Sequence, residues 1–415
     1  MNARTRAAVL ATATVNAWSR RLGLGSGTVA GGRVGLAIDP KALHSVGAGR
    51  TAAAVSGTNG KTTTTRLLAA ALEDSGRLVV TNETGSNMPA GHFAALAAGP
   101  RGAHAVLEVD EAYLATTVAT LEPRATVLLN LSRDQLDRSN EVRMVAGRWR
   151  DALSSATGTV VANADDPLVV WGAGSAPRRV WVAGGLRWRA DAVGCPSCGG
   201  RIQFTEHSWS CECGFARPSP DVTVDEGAGG LTAVFGVRRL PVALSIPGSF
   251  NARNAVMAAA AAQCLGVDPQ DALRAMGRIE GVAGRFSLHD VAGIPTRLLL
   301  AKNPAGWEEL LHLVGPESGP VVVAINARIA DGKDPSWLWD VPFERLSGRP
   351  VVATGERSAD LSVRLDYAEV PHERMSDPVE AVKLAARLSA GERPGPIDFI
   401  GNYTAFHDLL RATAA

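Results

Sequence analysis

Several things are scarce in this 415-residue chain, and each scarcity closes off a class of protein. Cysteines number 5, too few for a disulfide-built scaffold of this length, and they fit a reducing, cytoplasmic compartment. Net charge is nearly absent: 42 Lys and Arg face 41 Asp and Glu, so nothing in the balance argues for a nucleic-acid partner. No apolar run approaches the roughly 18 residues that a membrane span needs. The N-terminus lacks a secretory apolar core and cleavage site. Lysine is rare beside arginine, a compositional bias and not a functional signal. The length is enough for two or three domains with real cores.

The most informative stretch is V-S-G-T-N-G-K-T-T-T-T, Val55 to Thr65. A β-leaning run, Thr51 to Val55, precedes it, and T-R-L-L-A-A-A-L follows with the look of an amphipathic helix. A glycine loop between a strand and a helix N-terminus aims backbone N–H groups and the helix dipole at an anion. Gly57, Thr58, Asn59, Gly60 and Thr63 supply the cradle. Lys61 adds a point charge for terminal phosphates, and Thr62 offers a hydroxyl to Mg²⁺. The first glycine of the common G-x-x-x-x-G-K-[ST] form is replaced by Val55. A glycine turn that binds nothing is the plain alternative, and the Gly-Lys-Thr-Thr run argues against it.

Strands and helices then alternate. Strands are expected at Leu78–Val80, Ala105–Asp110, Thr126–Leu131 and Thr159–Asn163, with helices at Pro89–Ala98, Ala112–Leu121 and Val142–Ser155. Apolar strands separated by helices predict a mostly parallel sheet covered on both faces. The pattern breaks at Leu186–Phe215 and resumes with strands at Leu231–Phe235 and Val242–Ile246. Helices follow at Ala252–Leu265 and Pro269–Met276, then a hinge at Gly281–Phe286. A fresh α/β set occupies the remaining chain, about 130 residues. Its strands are expected at Thr296–Leu300, Val321–Ile325, Val351–Ala353 and Ile397–Ile400, and its helices at Gly306–Leu313, Ser358–Leu365, Pro378–Leu388 and Tyr403–Thr413.

Glu108 ends the strand A-V-L-E-V, where ligand groups of open α/β sheets gather, and a carboxylate there suits Mg²⁺. Asp110 and Glu111 follow in E-V-D-E and compete for that role. In G-S-F-N-A-R-N, Asn251 and Asn254 lie three apart on one helix face and suit an adenine edge; Asn251 is also placed to cap the helix. Cys195-x-x-Cys198 and Cys211-x-Cys213 flank a strand-like R-I-Q-F-T. Four thiolates at two tight turns predict a structural Zn²⁺ ribbon with no open ligand position. A redox pair would want a helix N-terminus in place of Gly199-Gly200. Cys264, in A-A-Q-C-L-G, reads as core.

These segments resemble the Mur ligases, ATP-dependent enzymes that join amines to carboxylates. The resemblance rests on G-T-N-G-K-T-T, the Glu108 strand end and N-L-S-R-D-Q-L-D at Asn130–Asp137, with Gln135 where the family has histidine. It extends to N-A-D-D-P at Asn163–Pro167 and to G-S-F-N-A-R-N, with Phe250 in place of histidine. It favours Glu108 as the metal carboxylate and implies ATP and Mg²⁺ as cofactors. Mur ligases acting on nucleotide-linked substrates carry a full domain before the loop; about fifty residues precede it here. That feature, the Cys₄ ribbon, A-K-N-P-A-G at Ala301–Gly306, the run from Ile325 to Asp340 and G-N-Y-T at Gly401–Thr404 resemble the MurT family, the ligase subunits of lipid II isoglutaminyl synthase.

The implied fold is α/β: a central P-loop domain over 51–283 with a zinc ribbon inserted at 186–220, and a Rossmann-like C-terminal domain over 284–415, after a helical extension and linker over 1–50. The implied reaction amidates the α-carboxylate of D-glutamate in the lipid II stem peptide. No cysteine remains for a glutaminase nucleophile, so ammonia must come from a partner, which the family implies is a GatD-type glutaminase subunit. The resemblance further implies that Asp334, in A-D-G-K-D-P-S-W, completes that partner's triad; Asp331 and Asp340 are its neighbours in sequence. Taken alone, Asp334 reads as a turn residue.

Two rivals remain at this level: a folylpolyglutamate synthase-like ligase, and a zinc-ribbon scaffold that binds ATP as a regulator. Arg285 and His289 are candidates to face substrate. G-L-G-S-G at Gly23–Gly27 reads as a linker. Before it, Val9, Leu10, Val15, Trp18 and Leu22 fit one helical face, with Arg4, Arg6, Arg20 and Arg21 and no acidic residue before Asp39. The plainer reading packs that face on the next domain. The other lays the helix on the inner face of the membrane, where lipid II resides.

Overall fold

The computed structural model describes every residue except 23–27, 83–85, 134–141, 228–229, 282–285, 315–318, 390–394 and 415. The linker expected at Gly23–Gly27, most of the hinge expected at Gly281–Phe286, Arg285, and Gln135 with Asp137 lie outside the described residues. The chain divides into two compact units, Met1–Leu131 with Glu141–Glu280, and Ser132–Asn140 with Gly281–Ala415. None of the described helices is long and apolar enough to cross a membrane.

The first unit is built on a twisted sheet. Its parallel part uses β1 (Ala52–Ser56), β2 (Val79–Thr81), β3 (His104–Val109), β4 (Ala125–Leu128), β5 (Thr159–Asn163) and β6 (Arg179–Val182), in the order β6-β5-β4-β1-β3-β2. Strand β1 is buried at every position, as a central strand covered on both faces must be. Its register sets Val55 opposite both Glu108 and Val127, so the carboxyl ends of β1, β3 and β4 finish together. The helices between these strands are α4 (Lys61–Asp74), α5 (Pro89–Ala98), α6 (Leu114–Leu121), α7 (Val142–Leu153) and α8 (Pro167–Ala173).

Beyond β6 one more parallel pairing is followed by antiparallel ones. Strands β9 (Val222–Gly227), β10 (Gly230–Phe235) and β11 (Arg238–Val242) extend the sheet as an antiparallel edge, and the hairpin β7 (Gln203–Phe204) and β8 (Trp209–Ser210) stands apart from it. The strand expected at Val242–Ile246 is displaced to Arg238–Val242. A two-residue turn with Gly236 at φ 61° pairs Phe235 with Arg238, and that register ends the ladder at Val242 opposite Leu231. Two helices follow, α9 (Ser249–Cys264) and α10 (Pro269–Gly277), and α9 packs on α4. Cys264 is half-buried instead of core, its thiol pushed up by desolvation.

The second unit carries β12 (Phe286–Val291), β13 (Ile294–Leu300), β14 (Val321–Ala324), β15 (Val351–Thr354), β16 (His372–Arg374) and β17 (Ile397–Gly401) in the order β12-β13-β17-β14-β15-β16. All neighbours are parallel except the β12–β13 hairpin. Its helices are α11 (Pro304–Val314), α12 (Ser358–Tyr367), α13 (Pro378–Leu388) and α14 (Tyr403–Ala414); Phe399, Phe406 and Leu409 centre one core. His289 is tied to Ser287 Oγ at 2.8 Å.

Three further helices, α1 (Ala3–Arg21), α2 (Thr28–Ile38) and α3 (Ala42–Gly47), join α5 of the first unit. The face of α1 that packs is only in part the expected apolar one, for Val9 and Val15 are half-buried and Val9 lies against the core. Thr5, Ala8, Thr12 and Asn16 are buried, whereas Leu10, Trp18 and Leu22 are 69%, 60% and 63% exposed. The cause is α2, which presents Gly31 and Gly35. A Cβ on Gly31 would sit 2.1 Å from Asn16 Oδ1, and one on Gly35 would sit 2.3 Å from Thr12 Oγ1. Backbones that approach so closely leave room for small side chains only. Gly32 packs equally tightly on α5, where a Cβ would meet the Ala90 carbonyl oxygen at 1.9 Å.

Gly32→Ala should therefore destabilise the first unit by about 1–3 kcal/mol. Gly147→Ala on α7, where a Cβ meets nothing within 4 Å, should stabilise by up to about 1 kcal/mol. Thermal unfolding of the two variants should move in opposite directions.

Candidate functional site

The loop between β1 and α4 needs two left-handed residues, and both are glycine: Gly57 at φ 141° and Gly60 at φ 86°. It is held by Asn130, just past β4. The Asn130 Oδ1 accepts the Asn59 N–H at 2.9 Å, its Nδ2 donates to the Asn59 carbonyl at 3.0 Å, and its own carbonyl accepts the Thr58 N–H at 2.9 Å. One side-chain amide thus pairs with the backbone N–H and C=O of one residue. A Cβ on Gly57 would meet the Asn130 backbone at 3.0 Å, so glycine is also required by proximity.

Lys61 opens α4 and is buried. Its ammonium donates to the carbonyls of Gly57 (2.5 Å) and Thr58 (3.1 Å) and to Glu111 Oε2 (3.0 Å). The Thr62 hydroxyl donates to Glu108 Oε2 at 2.7 Å, and Thr63 is buried in the helix. Asn254 lies against the loop: a Cβ on Gly60 would come within 2.9 Å of its side-chain amide. Gly57, Thr58, Asn59, Gly60, Lys61, Thr62, Thr63, Glu108 and Asn254 therefore converge. Asn251 does not cap α9, whose N-cap is Gly248; it sits in the first turn and donates to the Pro247 carbonyl at 2.6 Å.

Glu108 is held by its own peptide. Strand β2 stops at Thr81, and the Asn82 side chain takes over the ladder, accepting the Glu108 N–H and donating to the Glu108 carbonyl, each at 2.8 Å. His92, fully buried on α5, donates from Nε2 to the same carbonyl at 2.9 Å; burial lowers its pKa and keeps the ring neutral. Asn82 and His92 escaped the sequence reading because an amide and an imidazole facing a peptide leave no spacing signal. Glu111 was there only as a competitor for Mg²⁺. Its observed partner is Lys61, and the Trp149 indole N–H holds its carbonyl at 2.9 Å.

A second set of contacts ties the loop's support to the cysteine region. Asp166, fully buried, caps α8 through the N–H groups of Leu168 and Val169 and accepts the Leu131 N–H at 2.8 Å. Burial pushes its carboxyl up to about 6 although three backbone donors pull it down. Asp165 pairs with Arg217 at 2.6 Å, and the Trp209 indole donates to the Ala164 carbonyl at 3.2 Å. The four cysteine sulfurs lie within 4.8 Å of one another, with Cys195–Cys213 at 3.7 Å and Cys198–Cys211 at 3.6 Å. A tetrahedron with Zn–S near 2.3 Å has edges of about 3.8 Å, so the spacing suits one ion, and a disulfide would need about 2 Å. The backbone N–H of Phe215 brings the Cys213 thiol down to about 7, whereas the Cys211 thiol is pushed up to about 12. Trp209 and Phe215 pack on Trp171 and Val170 of α8 beside this cluster.

In the second unit, the three candidate aspartates have different fates. Asp331 is buried and accepts the backbone N–H of Thr404 at 2.8 Å as well as its hydroxyl, tying the loop after β14 to the start of α14. The Asn402 side chain reinforces this, accepting the Asn326 N–H at 3.1 Å and donating to the Asn326 carbonyl at 2.6 Å. Asp340 pairs with Arg133 at 3.4 Å. Asp334 is exposed, and the Ser336 N–H at 2.8 Å, with the Ser336 hydroxyl, holds its carboxyl below the usual range.

Comparison with known families agrees with this arrangement. Residues 55–185 match the Mur ligase middle domain, and residues 300–406 match the MurT ligase C-terminal domain. The lipid II isoglutaminyl synthase (glutamine-hydrolyzing) subunit MurT of Streptococcus pneumoniae is 30% identical over 406 residues, 91% of this chain and 90% of that protein. The subunit of the same name from Staphylococcus aureus is 28% identical over 344 residues, 76% of this chain and 77% of that protein. A solved pseudomurein peptide ligase type C from Methanothermus fervidus matches with a TM-score of 0.67 at 21% identity, covering 88% of this chain and 79% of that one, a likeness of fold.

Removing the Asn130 side chain costs two hydrogen bonds to one residue's backbone, each worth about 1 kcal/mol. Asn130→Ala should therefore weaken nucleotide binding by roughly tenfold or more, measured by calorimetric titration. Cys198→Ser should empty the four-sulfur site and lower the melting temperature, because zinc contributes on the order of 10 kcal/mol to small modules of this type. Zinc content by mass spectrometry of the purified variant should fall from one per chain to near none, and unchanged content would contradict the assignment.

Proposed function

The chain belongs to the MurT family of Mur ligases, and from that premise we propose that it is the ATP-dependent ligase subunit of a lipid II isoglutaminyl synthase. It amidates the α-carboxylate of D-glutamate in the stem peptide to D-isoglutamine. The observation that carries this reading is the convergence of Lys61, Thr62 and Glu108 on one glycine loop at the carboxyl ends of β1 and β3. We assign the ligase domain to 51–283, with the ribbon at 186–220, and the C-terminal domain to 284–415.

A carboxylate is a poor electrophile, so it must be activated. Its oxygen attacks the γ-phosphorus of ATP, the bond to the bridging oxygen breaks, and ADP leaves with the electron pair. Lys61 and the N–H groups at the start of α4 meet the charge that builds on the transferring phosphoryl group. Thr62 and Glu108 would hold Mg²⁺, which neutralises phosphate charge when bound. Asn254 would take the adenine side, with Asn251 holding the start of α9 in place. Ammonia then attacks the acyl phosphate, phosphate departs, and the nitrogen loses a proton to give the amide.

Ammonia is supplied by a second polypeptide, a GatD-type glutaminase. The exposed Asp334 is the carboxylate of this chain that would orient the partner's catalytic histidine. Asp331 is unsuited because its oxygens are committed to Thr404. The complex works in the cytoplasm at the inner face of the membrane that carries its substrate. The Cys₄ ribbon, with no open ligand position, is structural.

An orienting aspartate is worth about 10⁴ in turnover in the Ser-His-Asp template. Asp334→Asn should abolish amidation with glutamine and the partner while sparing amidation with ammonium. Equal loss of both activities would move Asp334 into a structural or ligase role.

A further inference from the structure

The inverted helix α1 carries an inference of its own. Its buried face is Thr5, Ala8, Thr12 and Asn16, and its outward face bears Leu10, Trp18 and Leu22, each more than half exposed. This inversion is fixed by the fold. Thr12 donates to the Ala8 and Gly31 carbonyls at 2.9 Å, Thr5 donates to Asp39 at 2.6 Å, and the glycines of α2 admit nothing larger. Large apolar side chains left in water on a 19-residue helix call for an occupant.

The charge around them says which kind. Helix α1 carries Arg4, Arg6, Arg20 and Arg21, and α2 adds Arg33 with Val34 at 40% exposure. The elements packed on α1 are α2, α3 and α5, and none contains an acidic residue. The nearest acid in sequence, Asp39, is buried against Thr5. Among the described residues, Arg6, Arg20, Arg21 and Arg33 form no ion pair with a carboxylate. Tryptophan, leucine and arginine together on a surface helix are the chemistry of the bilayer interface.

We propose that α1, with the exposed middle of α2, docks the protein on an anionic lipid bilayer. Leu10, Trp18 and Leu22 enter the headgroup region and the arginines pair with lipid phosphates. The purpose of the contact, holding the ligase beside a lipid-linked substrate, rests on the function proposed above; the binding itself does not.

The test uses the full chain and vesicles of phosphatidylcholine, plain or with about a third replaced by phosphatidylglycerol, in a flotation assay without substrate or nucleotide. The chain should float with the anionic vesicles and not with the neutral ones. At about 1 kcal/mol per arginine near a charged surface, Arg20→Gln with Arg21→Gln should weaken partitioning roughly thirtyfold. Leu10→Ser with Trp18→Ser should weaken it at least as much, with an unchanged melting temperature because both side chains are exposed. Absence of anionic preference, or indifference to both pairs of substitutions, would overturn the proposal. So would a dimer in sedimentation velocity that Trp18→Ser dissociates, which would give the face to a second copy. Amidation of detergent-solubilised substrate is measured separately, so loss of vesicle binding and loss of ligase chemistry remain distinguishable.

Discussion

The backbone of Asn59, gripped at its N–H and its C=O by the Asn130 carboxamide, is the contact on which the nucleotide site depends. A loop with two left-handed glycines has many conformations open to it, and one that presents a helix N-terminus to an anion must be fixed from outside. Asn130 does this because the parallel register ends β1 and β4 side by side. The brace is itself braced: Leu131 is tied to Asp166, Asn163 donates to the Leu129 carbonyl, and the Asp165–Arg217 pair reaches the chain just beyond Cys213. The N-A-D-D-P segment thus links the nucleotide loop to the ribbon through backbone groups.

The same loop explains how a buried lysine is tolerated without a ligand. The three donors of Lys61 are matched by two loop carbonyls and Glu111, so the ammonium is compensated before any phosphate arrives. Glu108 is positioned differently, with its peptide clamped by Asn82 and His92 while its carboxylate faces Thr62. Two carboxylates three residues apart consequently do different work: one counters the lysine, the other accepts from the Thr62 hydroxyl.

Much of this was legible in the sequence because it depends on local chemistry. Gly57 and Gly60 declare a loop, alternating apolar runs declare a parallel sheet, and two tight cysteine turns declare a four-sulfur site. The relatives named for the MurT subunit agree with the family read from those motifs. What escaped depends on contacts between distant segments. Asn82 and His92 meet Glu108 from separate elements, and the ladder between Arg238 and Phe235 was set by a turn that shifted the expected strand. Helix α1 misled for a clearer reason. Apolar periodicity points inward only when the neighbour has room for bulk, and here the neighbour offers glycines, so threonine and asparagine go inward and tryptophan outward.

The central claim is that this chain activates a carboxylate with ATP and passes it to ammonia. The direct test incubates the purified chain with lipid II, ATP, Mg²⁺ and ammonium, and reads the muropeptide by mass spectrometry alongside ADP release. Conversion of one carboxylic acid to its primary amide, matched by ADP, is the result the account predicts. No amide with ammonium, and none after addition of a glutaminase partner with glutamine, would contradict it.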